Sequence, residues 1–259
     1  MEKRKHGFLI DREENEKDFI FGTRAVMEAL KAQKEIDKIL VNKELNNELI
    51  KELLSLAKEE GIPVVRVPEA KLNRTTRKNH QGVVAHISAI AYASLDNVIE
   101  RCFSQGISPL IMVLDRITDV RNFGAIARTA DVAGVHALVI PEKGSAQINS
   151  DAVKTSSGAL NFLPVCRVKN LYYTVKDLKK MGLNVISATE KTERLMYAAD
   201  FTLPTALIVG SEEDGVSAEL MGITDEFVGI PMAGNIESLN VSVAAAVLMY
   251  EAIRQRGGK

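Results

Sequence analysis

The sequence predicts an α/β protein in two parts: a small N-terminal α/β module and a larger C-terminal domain on a mainly parallel sheet. Three observations predict it. Short apolar runs alternate with helical stretches across residues 109–259, the pattern of βα units whose sheet is covered on both faces. Residues 19–91 hold two stretches of helical spacing and several β-rich runs, enough for a compact module of their own. Residues 92–108 separate the two and read as a joint, with a helical linker over 96–103.

Taken in order, residues 1–18 are charged and lack periodicity, which predicts a mobile tail. FGTRAVMEALKAQ places Val26, Met27, Ala29 and Leu30 at helical spacing. IDKILVN alternates as a strand does. NNELIKELLSLAKEEG is amphipathic through Leu49, Ile50, Leu53, Leu54, Leu56 and Ala57, and Gly61 ends it. PVVRV and GVVAHIS are β-rich. Pro109 opens the second domain, whose strands are LIMVL, HALVI, LPVCRV, LNVISATE, ALIVG and FVGIPM. The final helix, over residues 240–254, is apolar nearly all round, and such a helix is normally buried on every side. In a domain this small a partner subunit is the simplest cover.

Three polar clusters interrupt this regularity. ITDVRNFGAIARTA (117–130) follows LIMVL, LIVGSEEDGVS (207–217) runs from strand into loop, and Asn235, Glu237, Ser238 and Asn240 crowd before the last helix. Each has the form strand, loop, helix start, where open α/β sheets place ligands. Three of them predict one site at one edge of one sheet. No GxGxxG follows any strand, which disfavours a dinucleotide-type cofactor loop.

Composition narrows the setting. With 259 residues and 46% hydrophobic content, one large or two modest domains are expected. The longest apolar run, 243–250, is far short of the ~20 residues a membrane span needs. The charged N-terminus predicts no signal peptide. Cys102 and Cys166 are isolated, which predicts no disulfide framework and a reducing cytoplasm. The four histidines lack the clustering of a metal site, so no metal is expected; Asp115 and Asp119 alone are too weak a pair for magnesium. A net charge of −1 does not advertise nucleic-acid binding, yet residues 70–95 contain no acid and carry Lys71, Arg74, Arg77, Lys78 and His80. That stretch reads either as a phosphate contact or as a solvated loop.

The three clusters, in this order, resemble the signature motifs of the SpoU (TrmH-type) family of RNA ribose 2′-O-methyltransferases. Asn122 and Arg128 stand where the first motif has its Asn and Arg; Gly210, Glu212 and Gly215 match the second; Ile230-Pro231-Met232 and 238–244 match the third. SAQIN (145–149) and SSGAL (156–160) extend the likeness over nearly the whole C-terminal half. Val120 departs from a common proline, which touches loop rigidity rather than chemistry. The 19–91 module is similar to the ribosomal-protein-like substrate-binding domain of many relatives, through GTRAVMEAL and NHQGVVA, with Arg24 where histidine is frequent.

The resemblance implies a SPOUT domain with a deep trefoil knot, a homodimer, S-adenosylmethionine as cofactor, and structured RNA as substrate. The layout looks most like the branch that modifies a guanosine of bacterial 23S ribosomal RNA. A transfer-RNA enzyme of the same family and a non-catalytic RNA-binding assembly factor are the rivals. It implies a catalytic set of Asn122, Arg128, Glu212, Ser238 and Asn240. Thr189, Gly210, Ile230 and Leu239 would line the cofactor pocket, and Arg24, Arg74, Arg77, Lys78 and His80 would meet RNA. From residue chemistry alone, Ile230 and Leu239 read first as core packing, Asn122 and Asn240 as helix caps compatible with a ribose contact, and the bland alternative for Arg128 is a salt bridge to Glu212 or Asp131. Gly210 lets the backbone approach a ligand closely. A guanidinium is effectively never deprotonated, so Arg128 is expected to bind phosphate and developing alkoxide, with phosphate or water taking the proton.

Overall fold

The computed structural model describes residues 19–235 and 238–257, so the tail expected over 1–18 and Glu237 lie outside the described residues. The chain divides into two units at residues 87 and 88.

The first unit contains β1 (Phe19–Phe21), α1 (Thr23–Lys31), β2 (Ile36–Asn42), α2 (Glu48–Glu59), β3 (Val64–Val67), α3 (Glu69–Thr75) and β4 (Val83–Ile87). Its sheet runs in the order β1-β4-β2-β3. The helical spacing read in α1 and α2 is the reason they fold onto it: Val26, Leu30, Ile50, Leu53 and Ala57 are buried against Ile39, Val41, Val83 and Ala85. Asn47 caps α2, its side chain accepting from the Ile50 amide at 2.9 Å.

The second unit contains α4 (Leu95–Ser104), β5 (Leu110–Leu114), α5 (Val120–Val132), β6 (Ala137–Pro141), α6 (Ser150–Thr155), β7 (Val165–Val168), α7 (Leu171–Lys180), β8 (Asn184–Ala188), β9 (Thr205–Val209), α8 (Ala218–Met221), β10 (Glu226–Val228) and α9 (Val241–Gln255). Its six strands run β10-β8-β9-β5-β6-β7, and every pairing is parallel. The apolar runs are continuous rather than alternating because both faces are covered: Met112 and Leu114 point into one core, Ile111 and Val113 into the other. The helical linker expected over 96–103 is α4, and it packs onto the second unit. Leu95 and Ile99 of α4 join the second core, and the Ala93 amide donates to the Val165 carbonyl at 2.8 Å.

Helix α9, expected to be buried on every side with a partner subunit as cover, is covered on part of its surface by its own chain. Val241, Ala245, Leu248, Met249 and Ala252 are buried, but Val243 is 47% and Tyr250 52% exposed. Within one chain, one face of the helix is left uncovered. No helix among the described residues is long and apolar enough to cross a membrane.

Candidate functional site

Parallel strands all end at one edge, and the expected site residues follow those ends. Thr189 comes directly after β8, Gly210 after β9 and Ile230 two residues after β10, three strands that are neighbours in the sheet. They open onto a cavity of about 510 Å³, lined also by Glu212, Ser238, Leu239, Val209 and Ala244. All four residues expected to hold the cofactor therefore share one wall system. The volume lies within the ~300–1,000 Å³ range of small-molecule sites. Leu239 is 37% exposed, and Ile230 is partly buried against the core beneath. Leu239 is thus a pocket wall rather than core, while Ile230 is both.

The loop after β9 keeps its shape through backbone contacts. Ser211 and Gly215 exchange hydrogen bonds at 3.1 and 2.9 Å, closing a tight turn in which Gly215 has a φ of +70°. A Cβ on Gly210 would sit 2.0 Å from the Gly215 carbonyl carbon and 2.1 Å from the Val216 nitrogen. The absent side chain at 210 therefore serves the loop's own crossing, a different reason from the ligand approach expected of it.

Sequence reasoning passed over Arg116 and weighed Asp115 only as a metal ligand, yet both pin this loop. Buried Asp115 accepts from the Ser217 amide at 2.7 Å. Arg116 donates to Asp214 at 2.9 Å and to the Gly215 carbonyl at 2.8 Å. Arg116 does so from a left-handed backbone, φ 60°, uncommon for a residue with a side chain. An Asp-Arg pair at the end of an apolar run was the signal available. Asp119, the other carboxylate weighed for magnesium, caps α5 by accepting from the Arg121 and Asn122 amides at 2.7 and 3.0 Å.

The polar residues of the three loops meet in one cluster. The Asn122 amide donates to Glu212 at 3.0 Å; Asn240 Nδ2 donates to Glu212 at 2.5 Å and to Asn122 Oδ1 at 3.0 Å. Glu212 thus fixes two asparagines rather than Arg128. Asn240 also caps α9, its Oδ1 accepting from the Ser242 amide at 2.9 Å, whereas the cap of α5 is Asp119 and not Asn122. A second cavity of about 290 Å³ lies on the Asn122 side of this cluster, sharing Ser211 to Asp214 and Val241 with the first. Two adjoining compartments that share one loop can hold two reactants side by side.

Arg128 stands apart. It is exposed and makes no hydrogen bond or ion pair among the described residues, so neither Glu212 nor Asp131 is its partner. Six helical positions separate it from Asn122, ~9 Å along α5 and ~240° around it. It lines neither cavity.

In the first unit, Arg24, Arg74, Arg77 and Lys78 are exposed, as a phosphate contact requires. The stretch expected as a loop is helical through Thr75 in α3. His80 departs from the set. It is 6% exposed; Nε2 lies 3.0 Å from Asn73 Oδ1, and Nδ1 accepts from the Gly82 amide at 2.9 Å. With both ring nitrogens engaged, it holds the turn before β4 and has none to offer RNA.

Residues 109–250 match the SpoU rRNA Methylase family, and residues 19–93 match a family described as RNA 2′-O ribose methyltransferase substrate binding. A relative from Bacillus subtilis, YacO, named for the TrmH family of tRNA/rRNA methyltransferases, is 35% identical over 92% of this chain and 96% of its own. Among solved structures, the SpoU methyltransferase AviRb from Streptomyces viridochromogenes in complex with AdoMet is similar at 28% identity and a TM-score of 0.57. That match covers 92% of this chain and 90% of that one. A TrmH/SpoU tRNA modifying enzyme from A. aeolicus is 33% identical with a TM-score of 0.54, covering 62% of this chain and 85% of its own.

Proposed function

The chain belongs to the SpoU rRNA methylase family, and from that premise we propose that it transfers a methyl group from S-adenosylmethionine to a ribose 2′-hydroxyl of structured RNA. We propose a guanosine of bacterial 23S ribosomal RNA as the target, and the cytoplasm as the setting, which two buried free thiols suit. The observation that carries the reading is the pair of adjoining cavities that share Glu212, the carboxylate that also holds Asn122 and Asn240. The larger cavity fits the cofactor: Val209, Ile230, Leu239 and Ala244 offer apolar surface for an adenine, and Glu190, Glu212, Glu213 and Asp214 offer carboxylates to cationic groups.

S-adenosylmethionine supplies an electrophilic methyl group when bound. The residues supply position: holding acceptor and donor in line replaces a bimolecular encounter and can account for roughly 7–11 kcal/mol of a barrier. Asn122 and Asn240, held by Glu212, present amides where the ribose would lie. Arg128 binds the RNA phosphate and the developing 2′-oxyanion, and the hydroxyl proton passes to phosphate or water. Arg128 lines neither cavity of its own chain, which fits a role in the site of a second copy; a homodimer and the deep C-terminal knot are therefore part of the same proposal.

Two expectations arise here. Val243→Glu with Tyr250→Lys, placed on the uncovered face of α9, should convert a dimer into a monomer by light scattering. The wild-type interface should bury at least roughly 1,200 Å², and a wild-type protein that is monomeric and fully active would refute the shared site. Neutralising Arg74, Arg77 and Lys78 should weaken RNA binding and reduce the log–log salt slope by roughly 0.7–0.9 for each phosphate no longer neutralised. Cofactor affinity should not change, since the cavity belongs to the other unit.

The substrate-binding module favours ribosomal over transfer RNA: the A. aeolicus tRNA modifying enzyme matches only 62% of this chain. Methylation of stripped ribosomal and transfer RNA in parallel tests that choice. Calorimetry with S-adenosylmethionine separates an enzyme from a non-catalytic factor, which would bind none.

A further inference from the structure

The N-terminal sheet has a second face that α1 and α2 do not cover. Leu72 of α3 packs there against Leu40, Val67 and Val84, and Phe19 and Phe21 of edge strand β1 adjoin that small core while remaining only partly buried. Strand alternation and register define what surrounds them. Phe19 lies opposite His86 and Phe21 opposite Val84, and Lys38 on β2 lies opposite His86. The two phenyl rings are 6.3 Å apart at an interplanar angle of 47°. Lys78 Nζ lies 5.9 Å from the Phe21 ring centroid.

Among the described residues, charge on this face is mainly positive. Phe19, Phe21, Val84, His86, Lys38 and Leu40 include no carboxylate, and α3 adds Lys71 and Arg74 against one acid, Glu69. Burial, then the nearby charges of Lys38 and Lys71, lower the His86 pKa to about 4. At neutral pH His86 is therefore a third flat, uncharged ring beside the phenylalanines. Rings at the centre with cations around them match a nucleotide strand, whose bases have π-faces and whose phosphates are anionic.

We propose that this face is a stacking platform for unpaired RNA bases, with Phe19 and Phe21 as the stacking surfaces and Lys38, Lys71 and Lys78 on the phosphates. The proposal rests on the RNA-acting function given above, and assigns the module single-stranded segments rather than duplex. Stacking tolerates any base, so the platform contributes affinity and placement rather than sequence choice.

The test uses the full-length protein and short oligoadenylate. Phe21→Trp introduces the chain's only tryptophan, and its emission should be quenched saturably by the RNA. Phe19→Leu with Phe21→Leu keeps apolar packing on Leu72 and Val84 but removes both π-faces. Binding should weaken roughly tenfold or more, with an unchanged salt slope and an unchanged melting midpoint. Lys71→Gln with Lys78→Gln should instead lower the slope by roughly 0.7 for each phosphate no longer neutralised. In methyl transfer the double Leu variant should raise KM for RNA and leave kcat and cofactor affinity alone. Tryptophan emission indifferent to RNA, or unchanged affinity in the double Leu variant while the wild type methylates RNA, overturns the platform and leaves the enzyme reading standing. Quenching by RNA in a protein that transfers no methyl group overturns the enzyme reading and leaves the platform.

Discussion

Arg128→Lys is expected to reduce methyl transfer on the order of 10²-fold while leaving the melting midpoint within a degree or so, because exposed substitutions rarely change stability by more than ~0.5 kcal/mol. The residue is exposed and unpartnered among the described residues, so folding does not depend on it. Lysine keeps the charge but presents a single ammonium in place of the planar two-pronged donor that matches phosphate. A fall in kcat with cofactor affinity preserved would place Arg128 at the transition state rather than in the pocket. Near-normal turnover would remove it from the mechanism. The position of the side chain adds a sharper test. Asn122→Ala and Arg128→Ala proteins, each inactive alone, should regain activity when mixed and allowed to exchange subunits, because the mixed dimer contains one complete site. No recovery from a mixture shown to contain heterodimer would mean that both residues serve the same chain.

Gly210→Ala should be the most damaging single methyl addition in the second unit. The new Cβ would meet backbone at 2.0 and 2.1 Å, and backbone cannot rotate away as a side chain can. Overpacking of this kind costs ~1–3 kcal/mol, which for a domain of this size lowers the melting midpoint by roughly 2–12 °C. The larger consequence is functional. Shifting the Ser211–Gly215 turn displaces Glu212, and with it both asparagines that the carboxylate holds. Cofactor binding by calorimetry should fall below detection while the N-terminal unit keeps its RNA affinity. Unchanged cofactor affinity would show that the loop relaxes freely and that its crossing at Gly215 does not set the pocket.

The elements most legible in the sequence were those whose burial is dictated by local pattern. LIMVL, ALIVG and their neighbours are strands because both faces of the sheet are covered, and the pattern says so without tertiary information. The convergence of the three loops was legible for a related reason: parallel strands end on one edge, so residues after different strands become neighbours. What could not be read were features set by contacts distant in the chain. His80 sits in a basic run that looks solvated, yet Asn73 and Gly82 occupy its ring nitrogens. Arg116 looks like an ordinary strand-end charge until the loop ninety-eight residues later supplies Asp214. Helix α3 carries one buried apolar residue, Leu72, too few for a period to show. The apolar girth of α9 was plain, but which side the chain covers depends on α5, with which it packs.

Methyl transfer to a ribose oxygen is the central claim, and nucleoside mass spectrometry tests it most directly. Unmodified 23S ribosomal RNA would be incubated with the protein and S-adenosylmethionine carrying a deuterated methyl group, then digested to nucleosides. Labelled 2′-O-methylguanosine is the predicted product, absent with Gly210→Ala protein and formed on the order of 10²-fold more slowly with Arg128→Lys protein. Label on a base, or no label in RNA despite cofactor binding, would contradict it.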